Sequence, residues 1–312
     1  MRAPVRGILI LGLVAVTIWF AGRHAPHHES DSVFTTLFAH MMPAGLVKDS
    51  HAPHGEEEHL LSIGLPSALG LFDMDTSHDG VQLVLTNLQL FQVCAALLCI
   101  VCFIGLPQQM RTGRSDVLGR IFTGWAMWIR DEMVYPVLGR DLGRRFLPYF
   151  LTVFFFIVFM NLLGLVPMGA TATASIFVTG AMALTTLAVM IVGGMVAQGP
   201  LAFWKNLVPP VPWFLWPLMF FVELVGLMVK PFALMIRLFA NMTGGHLVVL
   251  SFMGLIFVFG QTSAVAGWGV APFAVGFACF IMIIEVFVAL LQAYIFTQLS
   301  ILFIGSCLHP EH

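Results

Sequence analysis

Residues 216–257 read WPLMFFVELVGLMVKPFALMIRLFANMTGGHLVVLSFMGLIF. Glu223, Lys230, Arg237 and Asn241 are separated by 7, 7 and 4 positions. At roughly 100° per residue those steps return to nearly the same face of one helix. The spacing therefore predicts a helix with one polar stripe and apolar side chains elsewhere. Ionisable groups at membrane depth cost upward of about 2.5 kcal/mol each, so they persist only against protein, an ion path or a partner charge. Glu223 and Lys230 have a candidate partner in each other and lie near an interface, where long side chains reach water. Arg237 lies two turns deeper, has no acid at i±3 or i±4, and keeps its proton in any protein setting. Its counter-charge is expected from elsewhere in the fold or from another subunit.

The rest of the chain supports a membrane setting. Of its 312 residues 59% are hydrophobic and 10% charged, with a mean hydropathy of +0.94. Soluble domains carry about 25% charged residues, and so few charges cannot cover a water-soluble surface. The expected fold class is an all-α integral membrane protein with about five membrane-embedded helices, two of them long and tilted (215–259 and 267–307). A helix over the whole of either stretch would be roughly 66 Å long, against a hydrocarbon core of about 30 Å. Each must tilt strongly, bend, or split into a hairpin. Further spans are expected over Leu83–Leu106, Phe146–Pro167 and Ser175–Val196. A surface helix is expected around Arg120–Val137, and a headgroup-level stretch over Gly199–Pro217 with Trp204, Trp213 and Trp216.

Charge separates the two sides. Seven of the 14 basic residues (Arg111, Arg114, Arg120, Arg130, Arg140, Arg144, Arg145) fall in the segment 107–145, which marks it as inward-facing. Nine of the 16 acidic residues and eight of the 11 histidines lie between 24 and 79, on the outer side by alternation. The expected organisation is a signal peptide or signal anchor over 1–22, with the apolar run Gly7–Phe20, and a polar outer segment over 23–80. A membrane domain over 81–307 and a tail over 308–312 follow. The clusters HAPHH and HAPHGEEEH within 24–59 read as solvated outer segment rather than a zinc or copper site. Cys99 and Cys102 form C-x-x-C inside an apolar helix without polar neighbours, and read as small packing residues.

The second long stretch carries one charge, Glu285, with Gln292 on the same face seven residues on. Arg237, Asn241, His246, Glu285 and Gln292 then form a polar set. Histidine titrates near neutrality, and an acid, an imidazole and amides suit a hydrogen-bonded proton path better than a catalytic centre.

RLFANMTGGH (237–246) resembles the essential arginine motif R-L-x-x-N-M-x-x-G-[EH] of subunit a of F-type rotary ATP synthases. The second long stretch, with Glu285 and LLQAYIF, is similar to that family's C-terminal helix. FLPYFLTVFFFIVFMNLLGLVP (146–167) resembles its second span, with Asn161 on the polar position and Gly164 where some members carry an acid. IRDEMVYP (129–136) and TATASIFVTGAMAL (171–184) also look familial. The resemblance covers about 80–305, and residues 1–80 depart from it. Bacterial members often place Glu before His; here His246 precedes Glu285, an exchange common in mitochondrial members.

The resemblance implies a subunit that is not catalytic alone and that moves protons through two offset half-channels to and from the carboxylates of a c-subunit ring. Arg237 would separate the half-channels. His246, Glu285, Asn241, Gln292 and Asn161 would line the outer one, and Glu223 would lie towards the inner one. The implied partners are the c-ring, the b and b′ subunits of the peripheral stalk, the catalytic F1 sector indirectly, and the lipid bilayer. No cofactor, metal or nucleic acid is expected. The expected location is the bacterial inner membrane, with the mitochondrial inner membrane as the alternative. Two rivals are a transporter acting alone, which should supply its own acid for Arg237, and an intramembrane metalloprotease, for which H-E-x-x-H is lacking.

Overall fold

A computed structural model describes residues 3–24, 62–64, 82–84, 87–104, 117–165, 172–208 and 211–308. The helices are α1 (Ala3–His24), α2 (Asn87–Phe103), α3 (Val117–Trp128), α4 (Tyr135–Gly164), α5 (Ile176–Gln198), α6 (Pro200–Asn206), α7 (Trp216–Thr262) and α8 (Ala264–Leu308). A π-helical turn, Ile129–Val134, links α3 to α4, and a 3-10 turn covers Ala172–Ala174. Two three-residue strands, β1 (Ser62–Gly64) and β2 (Gln82–Val84), pair antiparallel with Ile63 opposite Leu83. They add a small ribbon to an otherwise helical fold.

Among the described residues four runs are long and apolar enough to cross a membrane: 119–164, 176–198, 216–262 and 264–308. Shorter apolar helices cover Gly7–Trp19 and Leu88–Phe103. Neither long stretch splits. At about 1.5 Å per residue α7 is roughly 70 Å long, and such a helix fits a bilayer only when strongly inclined. Pro231 and Pro272 lie inside α7 and α8 without ending them, as membrane helices tolerate.

Three expected boundaries change. The span expected from Leu83 begins at Asn87, because Gln82–Val84 pairs as β2. The expected surface helix and second span are joined by the π turn into nearly continuous helix, broken at Gly139 (φ 71°, ψ 176°). That conformation is open to glycine at no steric cost, so the chain changes direction there rather than near Phe146. Within the Pro- and Trp-rich stretch, α6 forms a short helix begun by Pro200, a favoured first-turn residue.

Two compact units divide the chain, the division passing through α2, α4, α7 and α8. The first contains α1, the ribbon, α2 as far as Val101, α4 from Phe159, α7 from Gly244, and α8 up to Val286. The buried face of α2 repeats at Leu88, Phe91, Ala95 and Leu98, the helical period of a packed stripe. Ser263 separates α7 from α8, and its hydroxyl accepts the Ala266 amide at 3.1 Å, an N-cap for α8. Beyond this turn Phe252 stacks on Phe277 with ring centroids 5.5 Å apart.

The second unit contains α3, the π turn, α4 up to Val158, α5, α6, α7 up to Thr243 and α8 from Phe287. Buried Phe155 and half-buried Phe103 and Phe122 form an aromatic triangle with centroids 4.9, 5.5 and 6.3 Å apart. Such edge-on pairs add to the burial of the rings. Phe203 of α6 is buried against Gly194 of α5, and Gln198 Nε2 donates to the Cys307 carbonyl at 2.7 Å. Tyr149 and Thr186 share a hydroxyl hydrogen bond of 3.1 Å between α4 and α5.

Candidate functional site

In the second unit the buried seam of α7 is Leu227, Pro231, Leu234, Leu238 and Met242, spaced as a helix packing against protein. The polar stripe Glu223, Lys230, Arg237 and Asn241 is turned roughly 75° from that seam, by the helical angle per residue. It therefore flanks the core rather than facing it. The facing helix α8 buries Ala289, Ala293 and Ser300 in the same unit. Side chains this small let helix backbones approach closely.

Arg237 is half-buried and makes no ion pair or side-chain hydrogen bond among the described residues. The candidate Glu223–Lys230 pair is also absent among them. Seven residues of helix separate the two Cα atoms by about 10 Å, beyond comfortable reach along one face. Lys230 instead lies over the ring of Phe303, with Nζ 5.6 Å from its centroid, a cation–π distance. Glu223 is half-buried.

Asn241 and Gln292 do come together. Asn241 Nδ2 donates to Gln292 Oε1 at 2.8 Å. Gln292 is 2% exposed, and its Nε2 has no partner among the described residues. Leaving a buried amide donor unpaired costs about 1–3 kcal/mol, so this pair sits where a polar visitor is favoured.

The other half of the polar set lies in the first unit. Glu285 of α8 is 4% exposed, and its Oε1 lies 3.8 Å from His246 Nε2 of α7. That distance is within ion-pair range and too long for a hydrogen bond. Asn161, near the end of α4, is fully buried in this unit as well. Thus five of the seven expected residues form two close pairs or a buried position, and Arg237 and Glu223 stand outside those pairs.

One residue of the site was not singled out in the sequence. A Cβ on Gly245 would lie 2.7 Å from Glu285 Cδ, closer than real side chains come, and a tight 3.2 Å from Cγ. Gly245 therefore leaves room for the carboxyl beside His246. Its signal in the sequence is the fixed glycine of R-L-x-x-N-M-x-x-G-[EH], which falls on Gly245. Gly245→Ala is expected to push Glu285 aside and slow proton transport on the order of ten-fold or more, as ångström displacements of a reacting group do. Gly244→Ala, whose Cβ would meet nothing within 4 Å, is the control. Proton uptake by vesicles with equal amounts of assembled complex distinguishes them, and equal rates for both variants would remove Gly245 from the site.

The histidine clusters of 24–59, apart from His24, lie outside the described residues. Cys99 is half-buried and Cys102 buried on α2.

The sequence matches the family model for the ATP synthase A chain over residues 89–305. It is 46% identical over 186 residues to ATP synthase subunit a of Myxococcus xanthus, covering 60% of this chain and 59% of that one. Against ATP synthase subunit a of Chloroherpeton thalassium it is 41% identical over 224 residues, covering 70% and 65%. With ATP synthase subunit a 2 of Prosthecochloris aestuarii the identity is 37% over 293 residues, covering 92% of this chain and 84% of that one. The chain thus spans about three-fifths of the first two relatives' length. The third match takes in most of the outer segment 23–80, so that segment is not peculiar to this chain. All three relatives are bacterial, and the mitochondrial alternative finds no support among them. With the family model spanning residues 89–305, well over half of the sequence, the chain belongs to the ATP synthase A chain family.

Proposed function

We propose that this chain is the stator subunit that conducts protons in the membrane sector of a bacterial ATP synthase. It loads and unloads the carboxylates of a rotating c-ring through two offset half-channels. The observation that carries the reading is Arg237: a permanent charge on the flank of a packed seam, half-buried, with no acid beside it among the described residues. A charge so placed is stabilised when a carboxylate on a neighbouring, moving subunit passes it. The guanidinium holds the deprotonated carboxylate and, as a fixed positive charge, stops protons from passing directly between the half-channels.

His246, Glu285 and Asn161 supply the outer path, with Asn241 and Gln292 holding the amide step beside the arginine. An acid and an imidazole 3.8 Å apart can exchange a proton with little movement, which suits relay rather than storage. Glu223 lies on the Arg237 stripe, two sevens before it in sequence, and serves the inner path. The b and b′ stalk subunits hold the chain against the ring's torque, and the catalytic sector acts through rotation alone. The test is isolation of the tagged chain from its own membranes. The c-ring and stalk subunits should come with it in one complex. A monodisperse, proton-conducting chain without them would mean a channel acting alone.

A further inference from the structure

We propose that the segment on either side of the Gly139 break is a docking site for anionic phospholipid headgroups. This does not rest on the transport reading above. Helix α3 packs one face through Phe122, in the aromatic triangle, and leaves Ile121 (50%), Trp125 (39%) and Trp128 (42%) exposed. Trp125 also touches Phe154, and Trp128 touches Tyr294. Each indole is thus anchored on protein at one side and open at the other. An amphipathic helix with exposed tryptophans and an apolar outer face lies at the boundary of headgroups and acyl chains.

The charges beside it are unevenly satisfied. Arg130 spends its fork on Asp131, with bonds of 2.7 and 2.9 Å. Arg140 lies near enough to act on the same Asp131 carboxylate across the break. Arg140, Arg144 and Arg145 are all exposed and make no ion pair or side-chain hydrogen bond among the described residues. Asp141 and Glu132, the other acids here, are also exposed without an ion pair among them.

Arg140 and Arg144 stand four residues apart on one face, where like charges repel. Directly after them the chain becomes the apolar run from Phe146. Exposed guanidiniums at the mouth of a span, on the segment that follows the tryptophan-bearing helix, match a ligand with a phosphate at one end and hydrocarbon at the other. Free phosphate would satisfy the arginines and leave the apolar face bare. A soluble acidic partner would do the same.

The test uses the intact complex in nanodiscs of phosphatidylcholine with and without phosphatidylglycerol, with retained lipid read by native mass spectrometry. The parent should retain phosphatidylglycerol preferentially. The triple variant R140Q/R144Q/R145Q should lose roughly five-fold in that preference per arginine, on the order of a hundred-fold in all. Equal retention of the two lipids by the parent, or an unchanged preference in the variant, overturns the proposal. Where the variant fails to assemble, a photo-crosslinking residue at position 141 in the otherwise native complex decides. Adducts with phospholipid support the site. Adducts with a stalk protein, or loss of bound lipid to inorganic phosphate alone, overturn it.

Discussion

Arg237→Ala is expected to abolish ATP-driven proton pumping while ATP hydrolysis by the detached catalytic head continues. The side chain contributes little to folding that alanine would lose catastrophically, because it flanks the seam formed by Leu234 and Leu238. Its removal takes away a charge rather than a core contact. In the proposed role, loss of that charge would leave nothing to hold the ring carboxylate deprotonated at the crossing point and nothing to separate the two half-channels. A proton crossing 100 mV releases about 2.3 kcal/mol, so an open path dissipates the gradient instead of turning the ring. Arg237→Lys retains the charge and loses the planar two-pronged fork. It should pump poorly while leaking less than the alanine variant.

The second large effect is expected at Glu285. Glu285→Gln keeps the shape of a side chain that is 4% exposed, so the space against Gly245 remains filled and the complex should assemble. The amide cannot take up and release a proton at the carboxyl position. Positioned acid–base groups are commonly worth two to four orders of magnitude in rate, and proton transport should fall on the order of a hundred-fold. His246→Ala should fall in the same direction, since it removes the other member of the pair at 3.8 Å. Vesicle proton uptake, normalised to assembled complex, measures both. If both variants transport like the parent, protons do not travel by this pair and the outer path must be sought elsewhere.

The polar stripe was legible in the sequence because helical periodicity along one strand of residues is a local property. The steps from Glu223 to Asn241 needed no knowledge of neighbouring helices, and the length and apolarity of the two long runs decided the membrane setting. What the stripe faces was not legible. The period gives the relative angles of side chains but not which sector is buried, and the seam of leucines took that place. The candidate Glu223–Lys230 pair does not form for a related reason: sharing a face over seven residues leaves about 10 Å between the side chains' origins. The partner of Lys230, Phe303, lies 73 positions away in sequence, where local spacing carries no signal. Asn241 and Gln292 are legible in the sequence only as members of one polar set, and their hydrogen bond across 51 positions has no signal in local spacing. Gly139 shows the limit in the other direction. A glycine within a basic, helix-prone segment reads as a minor weakness, yet its positive φ sets where the chain turns.

Arg237 carries the central claim, and one preparation tests it directly. Passive proton conductance and ATP-driven proton uptake are measured in the same vesicles, for the parent and for Arg237→Ala, with equal amounts of assembled complex. The proposed role predicts no uptake and a faster collapse of an imposed proton gradient in the variant once the catalytic head is stripped. Uptake equal to the parent's would contradict it.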